Sequence, residues 1–426
     1  MTDRLLHTPE GVRDIYNTEC AGKSALEAKL KSRLLLYGYE EIQTPSFEFF
    51  DIFNTERGTV SSREMYKFFD REGNTLVLRP DITPSIARAV SKYYAQESMP
   101  MRFCYLGHTF RNNSSYQGRL KEITQLGAEL IGSSDAHADA EVIAVATELL
   151  LLSGLENFQV DVGQVGFFKA LVEEAGIDKE TEERLRELIE NKNYFGIEDV
   201  VEKLPVPEEI KLVFIKLPQW FGGTEMLAEA KRLTYSSKAL EALEKLEKIY
   251  EILQAYGLEK YVTFDLGMLS EYHYYTGTIF KGYTYGTGDA ILKGGRYDSL
   301  IGQFGKEAAS TGFAIEIDRL LTALSRQKID VALPKNSVLV LYPQAYIKEA
   351  IELSKCFRAH QRAAAMLAQE EGEPIGSYMA YCSRHQLYAI CRLIDDVQAE
   401  IIDVKTGTPQ RMLIKELKEE AASWNI

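Results

Sequence analysis

The chain is short of everything that marks a secreted, membrane-embedded or metal-holding protein. Its five cysteines, Cys20, Cys104, Cys356, Cys382 and Cys391, are odd in number and scattered, with no CxxC pair and no histidine at metal-ligand spacing. That pattern excludes a disulfide framework and a cysteine-held metal, and leaves reduced structural thiols. Histidine is as sparse, and His108, His137, His273, His360 and His385 show neither metal nor triad spacing. No resident metal or cofactor is expected. Long apolar runs are missing too: the most apolar stretch, residues 142–155, is interrupted by Glu148 and is too short to span a bilayer. The first residues, Met1-Thr2-Asp3-Arg4-Leu5-Leu6-His7, lack the apolar core of a secretory signal, so a cytoplasmic soluble protein is expected. Basic charge is in deficit, with 49 Lys and Arg against 63 Asp and Glu for a net charge of −14. Such a balance is poorly suited to tracking a phosphate backbone.

What is present is a globular protein of 426 residues, 45% apolar and 11% aromatic, long enough for two or three domains. Leu26, Leu30, Leu34 and Leu35 recur at helical spacing over residues 24–37, and Gly38 closes that run before a strand-like segment at 39–53. Further strand-like runs fall at 76–78, 101–105, 123–130, 262–266, 276–283 and 290–292. Short returns between several of them favour an antiparallel sheet packed by helices over a doubly wound sheet. Residues 165–255 are rich in Glu, Lys and Leu and read as a helical insertion of amphipathic helices. A linker is expected at 325–335, around Pro334, and a small α/β domain at 336–426 opens on the apolar strand Val338-Leu339-Val340-Leu341. That last domain carries 10 Lys and Arg against 12 Asp and Glu, which does not make an RNA clamp.

Five segments occur in order over residues 8–320. The first is Thr8-Pro9-Glu10-Gly11-Val12-Arg13-Asp14 with Tyr37-Gly38-Tyr39-Glu40-Glu41-Ile42-Gln43-Thr44-Pro45-Ser46-Phe47-Glu48; the second is Leu78-Arg79-Pro80-Asp81-Ile82-Thr83-Pro84. Phe110-Arg111 leading through Gly118-Arg119 to Gln125-Leu126-Gly127-Ala128-Glu129 follows, then Gly294-Gly295-Arg296-Tyr297-Asp298, then Thr311-Gly312-Phe313-Ala314-Ile315-Glu316-Ile317-Asp318-Arg319. Together they resemble motif 1, the ammonium-reading loop, motif 2, the Gly-Gly-Arg-Tyr-Asp strand and motif 3 of histidyl-tRNA synthetases, a class II synthetase family. The resemblance implies an α+β fold: a class II synthetase-like core with an antiparallel sheet and flanking helices over residues 1–324, and a tail at 336–426 similar to an anticodon-binding domain. It also implies a homodimer through the motif 1 region.

The same resemblance implies a histidine pocket. Asp81, Thr83 and Gln125 are expected at the ammonium, Glu129 and Tyr275 at the imidazole, Arg111 on the carboxylate side, and Tyr274 and Tyr297 along the wall. Free histidine needs acceptors, a cationic donor and two polar ring partners, and these side chains supply all three. Plainer readings exist. Glu129 reads on its own as an exposed strand charge, Asp81 as an ion-pair partner of Arg79 or Arg88, and Tyr274 as the structural member of a neighbouring strand pair. Gly294 and Gly295 read as a bulge or a close backbone approach.

The match to the synthetases then fails where their chemistry lies. Ser270, in Ser270-Glu271-Tyr272-His273-Tyr274-Tyr275-Thr276-Gly277-Thr278, stands in the position of the family's catalytic arginine, and a hydroxyl carries no charge to neutralise. Glu316 replaces a motif 3 glycine, and Asn113 a motif 2 glutamate. A synthetase-like chain with a kept pocket and lost catalytic charge resembles the regulatory subunits of ATP phosphoribosyltransferase. What that resemblance implies is a non-catalytic subunit that activates a short-form ATP phosphoribosyltransferase catalytic subunit in the first step of histidine biosynthesis and passes on feedback inhibition by L-histidine. The expected assembly is a hetero-octamer, with neither tRNA nor membrane as a partner. The alternative is a histidyl-tRNA synthetase.

Overall fold

Alternation of small or polar with large apolar residues, as in Gln125-Leu126-Gly127-Ala128-Glu129, gives the central strands one face for a core and one for a site. The computed structural model describes residues 3–53, 60–113, 119–269, 274–333 and 337–420. Expectations attached to Ser270 through His273, to motif 2 residues 114–118 and to Pro334 lie outside the described residues. The chain divides into two compact units, one of residues 1–14 and 26–331, the other of residues 15–25 and 332–426.

The strands of the first unit are β1 (Glu40–Glu41), β2 (Phe47–Phe49), β3 (Lys67–Phe69), β4 (Thr75–Leu78), β5 (Met101–Phe110), β6 (Glu122–Ile131), β7 (Phe158–Gln164), β8 (Phe221–Gly222), β9 (Val262–Asp265), β10 (Thr278–Thr284), β11 (Leu292–Arg296) and β12 (Ser310–Glu316). Nine of them form one sheet in the order β1-β5-β6-β12-β11-β10-β7-β9-β8, and β2-β4-β3 form a small second sheet. The middle of the large sheet is antiparallel, as expected, while β1–β5 and β7–β9 pair in parallel. The strand-like run at 39–53 is split into β1 and β2, with Pro45, which has no N–H for a ladder, between them.

One face of this sheet carries Leu126, Ala128, Phe280, Leu292, Phe313 and Ile315 into the main core. The Ala136–Ser153 helix packs there, which explains why the most apolar stretch of the sequence is apolar nearly all round. Residues 165–255 form six α-helices, one short 3-10 helix and the short β8. Several start on a capping side chain: Asp178 accepts from the backbone N–H groups of Glu180 and Thr181, and Asn193 from that of Gly196.

The second unit holds β13 (Ser337–Tyr342), β14 (Ala363–Ala368), β15 (Ala389–Leu393), β16 (Gln398–Asp403) and β17 (Pro409–Leu413) in the order β14-β13-β15-β16-β17. Three helices, Ile347–Ala359, Ile375–His385 and Ile414–Glu420, complete it. All five cysteines are free. No helix among the described residues is long and apolar enough to cross a membrane.

Candidate functional site

The sheet face opposite the main core is floored by small residues and edged by polar ones. Register places Glu129 of β6 opposite Gly312 of β12, Gly127 opposite Ala314, and Gln125 opposite Glu316; across β12, Gly295 of β11 lies opposite Gly312 and Lys293 opposite Ala314. The glycines are required by space. A Cβ on Gly312 would fall 1.7 Å from Glu129 Oε2, and one on Gly295 would fall 2.9 Å from Tyr275 Cε1. Gly294 faces the other way, where a Cβ would meet the Phe280 ring at 2.3 Å. Both glycines of this motif therefore serve close approach within a continuous strand.

All eight sequence-predicted residues, Asp81, Thr83, Arg111, Gln125, Glu129, Tyr274, Tyr275 and Tyr297, line one pocket above this floor. Glu129 is 1% exposed, so the reading of an exposed strand charge is wrong. Its Oε1 accepts from Thr83 Oγ1 at 2.7 Å and its Oε2 from Tyr297 OH at 2.5 Å. Burial pushes its pKa up to about 8 although both bonds pull it down. Asp81 is also buried and its pKa is raised by burial, against the opposing charge of Arg111; its carboxylate accepts from the Ile82 N–H at 2.7 Å and from Tyr274 OH at 3.2 Å. Gln125 is buried, and its Oε1 has no hydrogen-bond partner among the described residues. Such an acceptor is costly to bury and is open to a donor from water or a ligand.

Two of the plainer alternatives also fall. Asp81 does not pair with Arg88, which is held by Glu48 at 2.7 Å, nor with Arg79, whose guanidinium donates to the carbonyls of Thr44 and His108 at 2.7 Å each. Arg79 thereby fixes the loop that carries Asp81. Tyr274 is not turned away from the pocket. It sits in a turn before β10, so strand alternation does not apply, and its ring meets those of Tyr275 and Tyr297 edge-on at 4.8 and 5.9 Å. Three tyrosines thus form an aromatic wall. Sequence reasoning did not assign Lys293 to the pocket, and it placed Glu316 only at a nucleotide position; both line it.

A second, wider cleft adjoins the pocket and shares Arg111, Lys293 and Glu316 with it. Two of its cations are tied to the protein's own acceptors. Arg319 pairs with Glu316 at 3.1 Å and Asp289 at 3.3 Å and donates to the Ala290 carbonyl at 3.0 Å, while Arg326 donates to the Gly286 carbonyl.

The family model of histidyl-tRNA synthetase matches residues 11–320. An ATP phosphoribosyltransferase regulatory subunit of Acetivibrio thermocellus is 39% identical over 98% of this chain and 99% of its own length, and one of Clostridium kluyveri is 42% identical over 83% and 90%. Among solved structures, an ATP phosphoribosyltransferase regulatory subunit/histidyl-tRNA synthetase from Bacillus halodurans superposes with a TM-score of 0.81 at 32% identity, covering 92% of this chain and 99% of that one. A histidyl-tRNA synthetase from Nostoc reaches the same TM-score at 18% identity over 98% and 99%, a likeness of fold. With the fold and nearly the whole length shared, this chain belongs to the family of ATP phosphoribosyltransferase regulatory subunits, built on the class II histidyl-tRNA synthetase fold.

Proposed function

We propose that the chain is the histidine-sensing, non-catalytic subunit of an ATP phosphoribosyltransferase, which activates a short-form catalytic subunit in a hetero-oligomer and conveys inhibition by L-histidine. The observation that carries the sensing role is the buried acceptor set: Gln125 Oε1 without a partner beside Asp81 and Glu129, closed by three tyrosines. Histidine matches it group by group. Its ammonium goes to Asp81, Thr83 and Gln125, its ring to Glu129 and Tyr275, and its carboxylate to the Arg111 side, with Tyr274 and Tyr297 as walls. A carboxylate oxygen that already accepts one bond keeps a second lone pair for the ligand. An apolar analogue is rejected because it leaves these buried groups unpaired.

The non-catalytic role is supported by the adjoining cleft. Arg319, a cation that could meet phosphate, is neutralised by Glu316 and Asp289, and Glu316 adds negative charge at the junction where a nucleotide phosphate and the amino-acid carboxylate would have to meet. A homodimer through the motif 1 region is part of the proposal, supported by Phe47 and Phe49 of β2, which are 52% and 55% exposed.

Calorimetry with L-histidine tests the pocket. Glu129→Ala is expected to weaken binding by about tenfold or more, since a charged hydrogen-bond partner is worth roughly 1.5–3 kcal/mol; equal affinity in parent and variant would show the assignment to be wrong. Mixed with a short-form catalytic subunit, the parent is expected to raise transferase activity and make it histidine-sensitive, and Glu129→Ala to keep the first effect and lose the second. Histidine-dependent exchange of pyrophosphate into ATP is expected to be absent. Robust exchange by pure protein overturns the non-catalytic reading.

A further inference from the structure

The pocket's charges are arranged by depth. Asp81 and Glu129 lie inside it, whereas Arg111, Lys293 and Glu316 stand at its junction with the wider cleft. A zwitterionic amino acid that directs its ammonium to the acidic interior leaves its carboxylate at that junction. The carboxylate there needs cationic donors. Among the described residues that line the pocket, only Arg111 and Lys293 are cations. Arg111 is within electrostatic reach of Asp81, so part of its field is spent on the interior. The acidic neighbour at the junction, Glu316, is gripped by Arg319 at 3.1 Å.

Lys293 is placed for the task by the strand that carries it. On β11 the neighbours Leu292 and Gly294 face the main core side, so Lys293 and Gly295 share the pocket face. Its register partner on β12 is Ala314, which leaves room beside the lysine stem. An ammonium on a flexible four-carbon stem can follow a carboxylate without the fixed geometry a guanidinium demands.

We propose that Lys293 is a ligand-reading residue that binds the α-carboxylate of the amino acid in this pocket and so distinguishes an amino acid from its decarboxylated amine. This rests on the reading of the pocket as a histidine site. The competing role, a merely structural charge that offsets Glu316, makes no such distinction between ligands.

Calorimetry of the full chain with L-histidine and with histamine, which lacks the carboxylate, separates the two. Lys293→Met is expected to weaken L-histidine by about tenfold or more while leaving histamine affinity unchanged, and Lys293→Arg, which keeps the charge, to retain most of the L-histidine affinity. Unchanged L-histidine affinity in Lys293→Met overturns the assignment, as does a parallel loss for both ligands. If the parent protein itself takes up no L-histidine, the histidine reading falls and takes this assignment with it. A parent that binds beside an unaffected Lys293→Met overturns the lysine assignment alone.

Discussion

Asp139→Asn is expected to lower the unfolding free energy by about 3 kcal/mol, read as a shift of the urea midpoint at unchanged slope. Asp139 lies wholly buried on the Ala136–Ser153 helix. Its carboxylate pairs with Arg296 Nη2 at 2.8 Å, Arg296 Nε at 3.0 Å and Lys245 Nζ at 3.0 Å, and accepts from Thr278 Oγ1 at 3.1 Å. Arg296 is itself only 2% exposed, so an amide in place of the carboxylate strands a buried cation that cannot reach water. Asp298, 2.9 Å from Arg296 Nη1, keeps part of the compensation, which holds the loss to the lower end of the usual range. Lys245 is 24% exposed in its side chain and can turn outward.

The cost reaches the pocket because Arg296 immediately precedes Tyr297. The Arg296 carbonyl accepts from the Thr276 N–H at 2.8 Å, next to Tyr275, and Asp298 accepts from the Ser310 N–H at 3.1 Å at the start of β12. Loosening Arg296 therefore loosens both ends of the aromatic wall, and weaker L-histidine binding is expected alongside the lost stability. The double variant Asp139→Asn/Arg296→Met is expected to recover part of the stability, since the stranded charge is gone. A single-variant unfolding free energy within about 0.5 kcal/mol of the parent would show that the cluster is not a structural anchor.

The parts of this protein written in local pattern were legible, and those that depend on three-dimensional crowding were not. Strands β5 and β6 were legible in part, as strand-like runs at 101–105 and 123–130, and the helical insertion in the Glu, Lys and Leu richness of 165–255, while the motif residues and the α+β core came from the family resemblance. That Glu129 is buried could not be read from β6 alone, because it depends on Gly312 arriving opposite from a strand far along the chain. Tyr274 lines the pocket wall, as the resemblance implied; the alternative of a purely structural Tyr274 applied a two-residue period to what is a turn. The helix expected at 24–37 spans Asn17–Leu36, and residues 15–25 cluster with the second unit, a partition that no local signal announces. Lys293 carries no sequence signal either. A lysine on an alternating strand reads as a solvated charge until its neighbours across the sheet are known.

The affinity for L-histidine is expected to climb with pH between 6 and 8, by roughly fiftyfold from the proton on Glu129 alone. In the empty pocket burial holds that carboxyl at a pKa of about 8, well above its ordinary value of 4.5. At pH 6 it is therefore protonated, and a protonated carboxyl keeps fewer lone pairs for the N–H donors of a ligand. Binding the neutral ring expels that proton, so each unit of pH below about 8 costs close to tenfold. Asp81, whose pKa is also raised by burial, acts with the same sign when it meets the ammonium, while the Arg111 charge already favours its ionised form. The free imidazole, with a pKa of about 6.5, adds a further penalty at the acid end. Folding is linked in the opposite sense. A carboxyl with a raised pKa holds its proton more tightly in the folded chain, so its contribution to the stability of the empty protein is lost as pH rises from 4.5 through about 8. Bound histidine offsets that loss, and its thermal stabilisation is expected to be larger at pH 8 than at pH 6. Calorimetry near pH 7 in buffers of different ionisation enthalpy counts the protons directly: release of about one per histidine is expected, and Glu129→Gln is expected to remove most of it, leaving only the small share from the ligand's own imidazole. Flat affinity from pH 6 to 8, or net proton uptake, would mean that Glu129 stays neutral and reads the ring as a hydrogen-bond donor.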